Sequence, residues 1–209
     1  MPSSTFLNLA PEKQEKLLTA AAREFTERPY HEASINQIVQ AAGIPRGSFY
    51  MYFRDKEDLF RYLIQESMDA LLLAFEEILR RCGGDVFAAL PEMYDYLRSH
   101  REWDRSLGGM GMMAAIANCN SGSQSGGALK FVDAELILAR MEACVNPDLL
   151  DLRQPGDLDA ILRMLMTLLG PVLYSGVQPE AEPGGRETLE HALKILRRGM
   201  GAKPTPAQQ

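Results

Sequence analysis

Ala41-Ala42-Gly43-Ile44-Pro45-Arg46-Gly47-Ser48-Phe49-Tyr50-Met51-Tyr52-Phe53-Arg54-Asp55-Lys56-Glu57-Asp58-Leu59 is the most informative stretch of this 209-residue chain. Gly43 offers the left-handed backbone that lets a helix stop sharply. Pro45 suits the first turn of the next helix, where a missing N–H has no intrahelical partner to lose. The spacing therefore predicts two short helices with a glycine at their junction. Phe49 and Phe53 stand four apart and can both point inward, which leaves Arg46, Gly47, Ser48, Tyr50 and Tyr52 on the other face of the second helix.

Working upstream, Ile35, Ile38, Val39 and Ala42 give the first of these helices a buried stripe. Ser34, with Gln37 three residues on, reads as a capping box at its start. A longer helix from Pro11 to Glu27 precedes it, with Leu17, Leu18, Ala21, Ala22 and Phe25 on one face. Downstream, Asp55 with Asp58 at the third position caps a long helix that carries Leu59, Phe60, Leu63, Ile64, Met68, Leu71, Leu72, Phe75 and Leu79 towards Gly83-Gly84. Further helical segments fit 86–100, 102–117, 128–145, 157–177 and 185–200, with loops at 118–127 and 178–185. No alternating stretch bounded by hairpin turns appears, so the expected fold class is all-α, with about nine helices. The expected division is a three-helix helix-turn-helix unit at 1–56, a helical effector-binding and dimerisation unit at 57–201, and a disordered tail at 202–209.

The net charge of -6 argues against a whole-surface polyanion binder. Residues 1–56, however, carry 7 Lys+Arg against 6 Asp+Glu, and the remainder carries the acidic excess, so any contact with DNA must be local. Cys82, Cys119 and Cys144 are an odd number without CxxC spacing, which fits neither a disulfide framework nor a zinc site but fits a reducing cytoplasm. No flanking basic cluster lowers a thiol pKa, so structural or incidental thiols are expected. Residues 1–10 lack the regions of a signal peptide, and no run approaches the ~20 apolar residues that cross a bilayer, so no membrane partner is expected. His31, His100 and His191 are scattered, and GxSxG, HExxH, P-loop and paired-carboxylate spacings are missing. Neither an enzyme, nor a metal, nor a cofactor is expected.

Two short helices, each buried on one side, are what a helix-turn-helix needs. On the free face of the second, Arg46 is cationic, Gly47 admits a close backbone approach, and Ser48, Tyr50 and Tyr52 offer hydroxyls to phosphates and base edges. Lys56, in the first turn of the following helix, can meet a phosphate oxygen together with free backbone donors. The competing account of Tyr50 and Tyr52 is core packing, but Phe49 and Phe53 already take the inward face. For Arg46 and Lys56 it is a solvated charge, the commonest fate of a single basic residue.

Residues 41–59, together with Glu15 to Phe25, Tyr30, Ser34 and Ile38, resemble the signature of the TetR/AcrR family of transcription regulators, over roughly residues 10–62. The resemblance implies base-edge or phosphate contact for Arg46, Gly47 and Tyr50, and phosphate contact for Ser48, Tyr52 and Lys56. Ser34, Asn36 and Gln37 follow as second-rank DNA contacts, with capping as the competing role of Ser34. Pro45 departs from the family, many members of which carry a capping serine or threonine there. By the same resemblance the chain is a homodimer on palindromic double-stranded operator DNA, a repressor by the family's default, released when a small-molecule effector swings the long fourth helix.

In the body, 158–173 is apolar around more of a helix than a one-sided surface needs, and the last helix adds another apolar stripe. Leu162, Leu165, Leu169, Val172, Leu189, Leu193 and Leu196 are thus candidate dimer contacts in a four-helix interface, and the family pairs its last two helices likewise. A bundle within one chain is the alternative, since periodicity does not distinguish packing in cis from packing in trans. The chain holds 11 methionines, a composition that suits either core filling or a cavity for an apolar or amphipathic molecule. Met110, Met113, Met141 and Met166 are the candidate pocket residues, with Trp103, Phe131 and Tyr174 as flat walls. Two other functions compete with the regulator: a helical effector-binding or interaction protein of the same fold without DNA binding, and a small helical enzyme.

Overall fold

Apolar residues at helical spacing become helices throughout the described part of the chain, which in this computed structural model is residues 2–99, 133–177 (side chains to 167) and 184–201. The helices are α1 (Ser4–Leu7), α2 (Pro11–Glu27), α3 (Ile35–Ala42), α4 (Arg46–Tyr52), α5 (Lys56–Arg81), α6 (Val86–Ser99), α7 (Ala134–Glu142), α8 (Asp157–Val177) and α9 (Gly185–Met200), with one 3-10 turn at Pro147–Leu149. Among the described residues there is no strand, only an isolated antiparallel bridge between Leu150 and Gly201. The all-α class is as expected. The helix expected at 102–117, the loop at 118–127, most of the loop at 178–185 and the tail at 202–209 lie outside the described residues.

One compact unit contains residues 2–71. Its core joins Leu17, Leu18 and Phe25 of α2, Ile38 and Val39 of α3, Phe49 and Phe53, and Leu59, Phe60, Leu63 and Ile64 of α5, all buried. Aromatic edges and faces meet there at ring-centroid separations of 4.8 Å, Phe25 with Phe60 and Phe6 with Phe53, a spacing at which such pairs attract. The unit therefore takes in the first half of α5, beyond the boundary expected at 56. It also holds α1, which sequence periodicity did not show: Phe6 is fully buried in the same cluster.

A second compact unit is built from residues 72–99 and 134–201. Here α6, α8 and α9 pack on one another, and α7 packs on α8. Val86, Leu90 and Tyr94 of α6 are buried, as are Leu162 and Leu165 of α8 and Leu189 and Leu193 of α9. Those last four leucines were expected to face a second chain. They fill the core of their own chain instead, because the stripe that packs α8 on α9 also packs both on α6. At the end of α5, Gly83 and Gly84 turn with φ of 64° and 79°. The Gly84 carbonyl accepts the Asn146 N–H at 2.9 Å. Arg140 meets Glu76 at 2.6 Å in a half-buried pair, and Arg197 meets Asp85 at 2.9 Å.

Candidate nucleic-acid interface

Helix α3 ends as its glycine requires. Gly43 sits at φ 67°, ψ 32°, its N–H reaches the Gln40 carbonyl, and the Ile44 N–H closes on Val39 O at 3.0 Å. This left-handed stop sends the chain directly into α4. The start of α3 differs from expectation. The Ser34 hydroxyl makes no capping hydrogen bond, and the Ser34 N–H donates to Glu24 Oε1 at 2.9 Å. A buried carboxylate from α2 does what Gln37 was expected to do, and Gln37 stays exposed beside Asn36 and Gln40 while Ile38 and Val39 are buried beneath.

In α4, Phe49 is fully buried and the other face is open. Arg46 and Gly47 are exposed and Ser48 is half-buried. Tyr50 is 49% exposed and Met51 59% exposed, so Met51 joins the open face, although helical periodicity did not single it out. A Cβ placed on Gly47 would meet nothing within 4 Å, so the space over this residue belongs to whatever approaches from outside. Tyr52 is only half-buried but leans on the core, its ring 6.0 Å from that of Phe6.

Lys56 has a different environment from the one its position suggested. Its Nζ donates to the carbonyls of Tyr30 at 2.7 Å, Ala33 at 2.9 Å and His31 at 3.4 Å, and it lies 4.7 Å from the centre of the Tyr30 ring. It ties the start of α5 to the loop between α2 and α3. The cap of α5 is as expected, with the Asp58 N–H donating to Asp55 Oδ1 at 2.8 Å, while Asp58 Oδ2 accepts from Arg54 N–H at 3.2 Å.

Charge sorts the surface further. Arg23 pairs with Glu27, Arg28 with Glu24, Arg54 with Asp55 and Arg61 with Glu57. Arg46 has no ion-pair partner among the described residues. The sequence explains why: between Glu32 and Asp55 the chain has no acidic residue at all, although it holds 28 elsewhere. The exposed side of α3 and α4 thus offers one guanidinium, three amides and a phenol with no carboxylate of its own segment to repel an anion.

The expected effector and dimer residues are placed only in part. Met141 is buried and Met166 half-buried in the second unit, and Leu196 is half-buried. Trp103, Met110, Met113 and Phe131, and the side chains of Leu169, Val172 and Tyr174, lie outside what is described. Met164 at 45% and Ile195 at 55% are the large apolar side chains that α8 and α9 leave exposed among the described residues. Burial, with a 3.5 Å hydrogen bond to Glu92, pushes the Cys82 thiol up. Among the described residues no cluster of His, Cys, Asp and Glu could hold a metal ion, and no helix is long and apolar enough to cross a membrane.

A family model described as bacterial regulatory proteins, tetR family, matches residues 17–63, which run from α2 through α3 and α4 into α5. The HTH-type transcriptional repressor Rv1474c of Mycobacterium tuberculosis (strain ATCC 25618 / H37Rv) is 33% identical over 108 residues, 51% of this chain and 57% of that protein. A TetR family transcriptional regulator from Chloroflexus aurantiacus J-10-FL aligns over 97% of this chain and 100% of its own, at 25% identity and a TM-score of 0.52. Thermus thermophilus FadR, a TetR family repressor solved in complex with lauroyl-CoA, shares the fold over 93% of this chain and 98% of its own, at 22% identity and a TM-score of 0.54. The chain spans 37%, 57% and 35% of the length of three curated relatives it matches. Residues 17–63 thus match the tetR family of bacterial regulatory proteins, and the relatives and solved structures that the chain resembles are transcription regulators of that kind.

Proposed function

We propose that this protein is a transcription regulator that binds double-stranded operator DNA as a homodimer, through the exposed face of α3 and α4. The observation that carries this reading is the acid-free segment 33–54 in a chain of net charge -6, folded so that Arg46, Gly47 and Tyr50 stand open on α4 and Asn36, Gln37 and Gln40 on α3. Arg46 and the three amides match the donors and acceptors of base edges and phosphates, and Met51 offers an apolar surface to a thymine methyl group. Ser34 and Ser48, half-buried at the starts of the two helices, are left for phosphate oxygens. A reading without DNA binding leaves this face unexplained.

Pairing two such faces requires recognition helices about 34–36 Å apart, the spacing of successive major-groove faces. The α8–α9 side, with Met164 and Ile195 exposed, is the surface proposed for the second copy. An apolar or amphipathic effector in the second unit, beside Met141 and Met166, would release DNA to the extent that it prefers the unbound conformation. The lauroyl-CoA held by the Thermus thermophilus repressor supports that chemical class. Repression in the cytoplasm is the default this reading adopts.

Selection of bound sequences from genomic fragments, at two salt concentrations, tests it. Enrichment of a short palindrome, weaker at the higher salt and lost in Arg46→Ala, is expected. Folded dimeric protein that enriches nothing would refute the reading.

A further inference from the structure

We infer that residues 3–9 are a built-in cap for the recognition helix, and that Ser3 is a positioning residue for DNA reading without being a DNA contact. The inference rests on the DNA-binding reading above. Helix α4 has only seven residues, and its last carbonyls have no donors within the helix. Helix α3 solves the same problem with Gly43, whose left-handed backbone folds local N–H groups onto its own carbonyls. Helix α4 has no such glycine: Phe53 follows it in an extended conformation, with φ -129°.

Ser3 supplies what is missing. Its Oγ donates to the Met51 carbonyl at 2.6 Å and its backbone N–H donates to the Tyr52 carbonyl at 2.9 Å. The same Oγ accepts the Phe6 N–H at 3.3 Å, so one hydroxyl starts α1 and finishes α4. The segment is fastened at its other end by Gln14 of α2, whose Nε2 donates to the carbonyls of Phe6 at 3.1 Å, Leu7 at 3.2 Å and Leu9 at 3.0 Å. Between the two fastenings the buried Phe6 ring lies 4.8 Å from Phe53 and 5.8 Å from Tyr62. The end of α4 that presents Tyr50 and Met51 is therefore held from α2, across a stretch that precedes the family match at residue 17.

A helix held in this way keeps its side chains aimed at particular base edges, whereas attraction to phosphates needs no such aim. Loss of the Ser3 hydroxyl should blur sequence reading and leave non-specific binding alone. In the full chain, Ser3→Ala and Ser3→Thr are compared with wild type by fluorescence anisotropy on the selected duplex and on an unrelated one, over a range of salt. Amide hydrogen exchange is followed in the same three proteins. Ser3→Ala is expected to weaken binding to the selected duplex about three- to tenfold, the size of one net hydrogen bond. Affinity for the unrelated duplex and the salt slope should not change, exchange at Tyr52 and Phe53 should quicken, and Ser3→Thr should restore all of it. Wild-type affinity in Ser3→Ala would overturn the cap. So would equal loss on both duplexes with a shallower salt slope, which would make Ser3 a phosphate contact. A wild-type protein that prefers no duplex would refute the DNA reading instead, and the cap would then stand or fall on exchange at Tyr52 and Phe53.

Discussion

Lys56 and Gly47 sit close in sequence to Arg46, yet their surroundings assign them opposite kinds of work. The Lys56 ammonium is bound by the carbonyls of Tyr30, Ala33 and His31. Lys56→Met strands those acceptors and is expected to cost about 1–3 kcal/mol, read as a lower melting temperature by circular dichroism. DNA affinity well below the melting range should change little. An unchanged melt with affinity lost as in Arg46→Ala would instead make Lys56 a phosphate contact. Gly47 carries no such internal duty, since a Cβ there meets nothing of the protein. Gly47→Ala is expected to hold or raise stability by about 0.5–1 kcal/mol through helix propensity, and to weaken DNA binding about tenfold by standing off the duplex. Unchanged affinity would remove Gly47 from the interface. Periodicity in the sequence separated Phe49 from Arg46, Gly47 and Tyr50 because side-chain type alternates around the helix. It could not place Lys56, since backbone carbonyls, its real partners, leave no mark in a sequence.

At the scale of the elements, legibility followed length and local punctuation. The bounds of α2, α3 and α4 could be read from Pro11, Gly43 and Pro45, residues whose backbone preferences act within a few positions. Helix α1 could not, because four residues show no period. The start of α3 was misread for a related reason: the carboxylate that binds the Ser34 N–H comes from Glu24, ten residues earlier and on another helix. The turn after α5 gives a paired test. Gly83 and Gly84 both have positive φ, but only at Gly84 would a Cβ collide, 2.5 Å from the Asn146 nitrogen. Gly83→Ala is expected to cost about 1–2 kcal/mol from backbone strain alone. Gly84→Ala should lower the calorimetric melting temperature further, and equal shifts would show that the approach of Asn146 contributes nothing.

For the molecule as a whole, the all-α class was legible and the partner-facing surface was not. An apolar stripe looks the same whether it faces its own chain or another, and Leu162, Leu165, Leu189 and Leu193 proved to be internal. In the homodimer proposed above, the combined change Met164→Glu, Ile195→Glu is expected to yield monomers by analytical ultracentrifugation with the fold retained. Leu162→Ala should destabilise the fold by about 2–5 kcal/mol. If the charged pair leaves the dimer intact, the second copy sits elsewhere.

Helix α5 belongs to both units, its Leu59, Phe60, Leu63 and Ile64 completing the core of one and its Leu79 that of the other. This governs how such proteins can be recombined. A chimera that joins this DNA-reading part to a relative's sensing part before Lys56 would take four buried side chains away from the core they fill, whereas a crossover between Leu71 and Leu72 leaves both cores with their own residues. The crossover must also keep the count, since one residue gained or lost turns everything beyond it by about 100° and shifts it about 1.5 Å along the helix. Exchange of parts is thus confined to homologous positions within one helix.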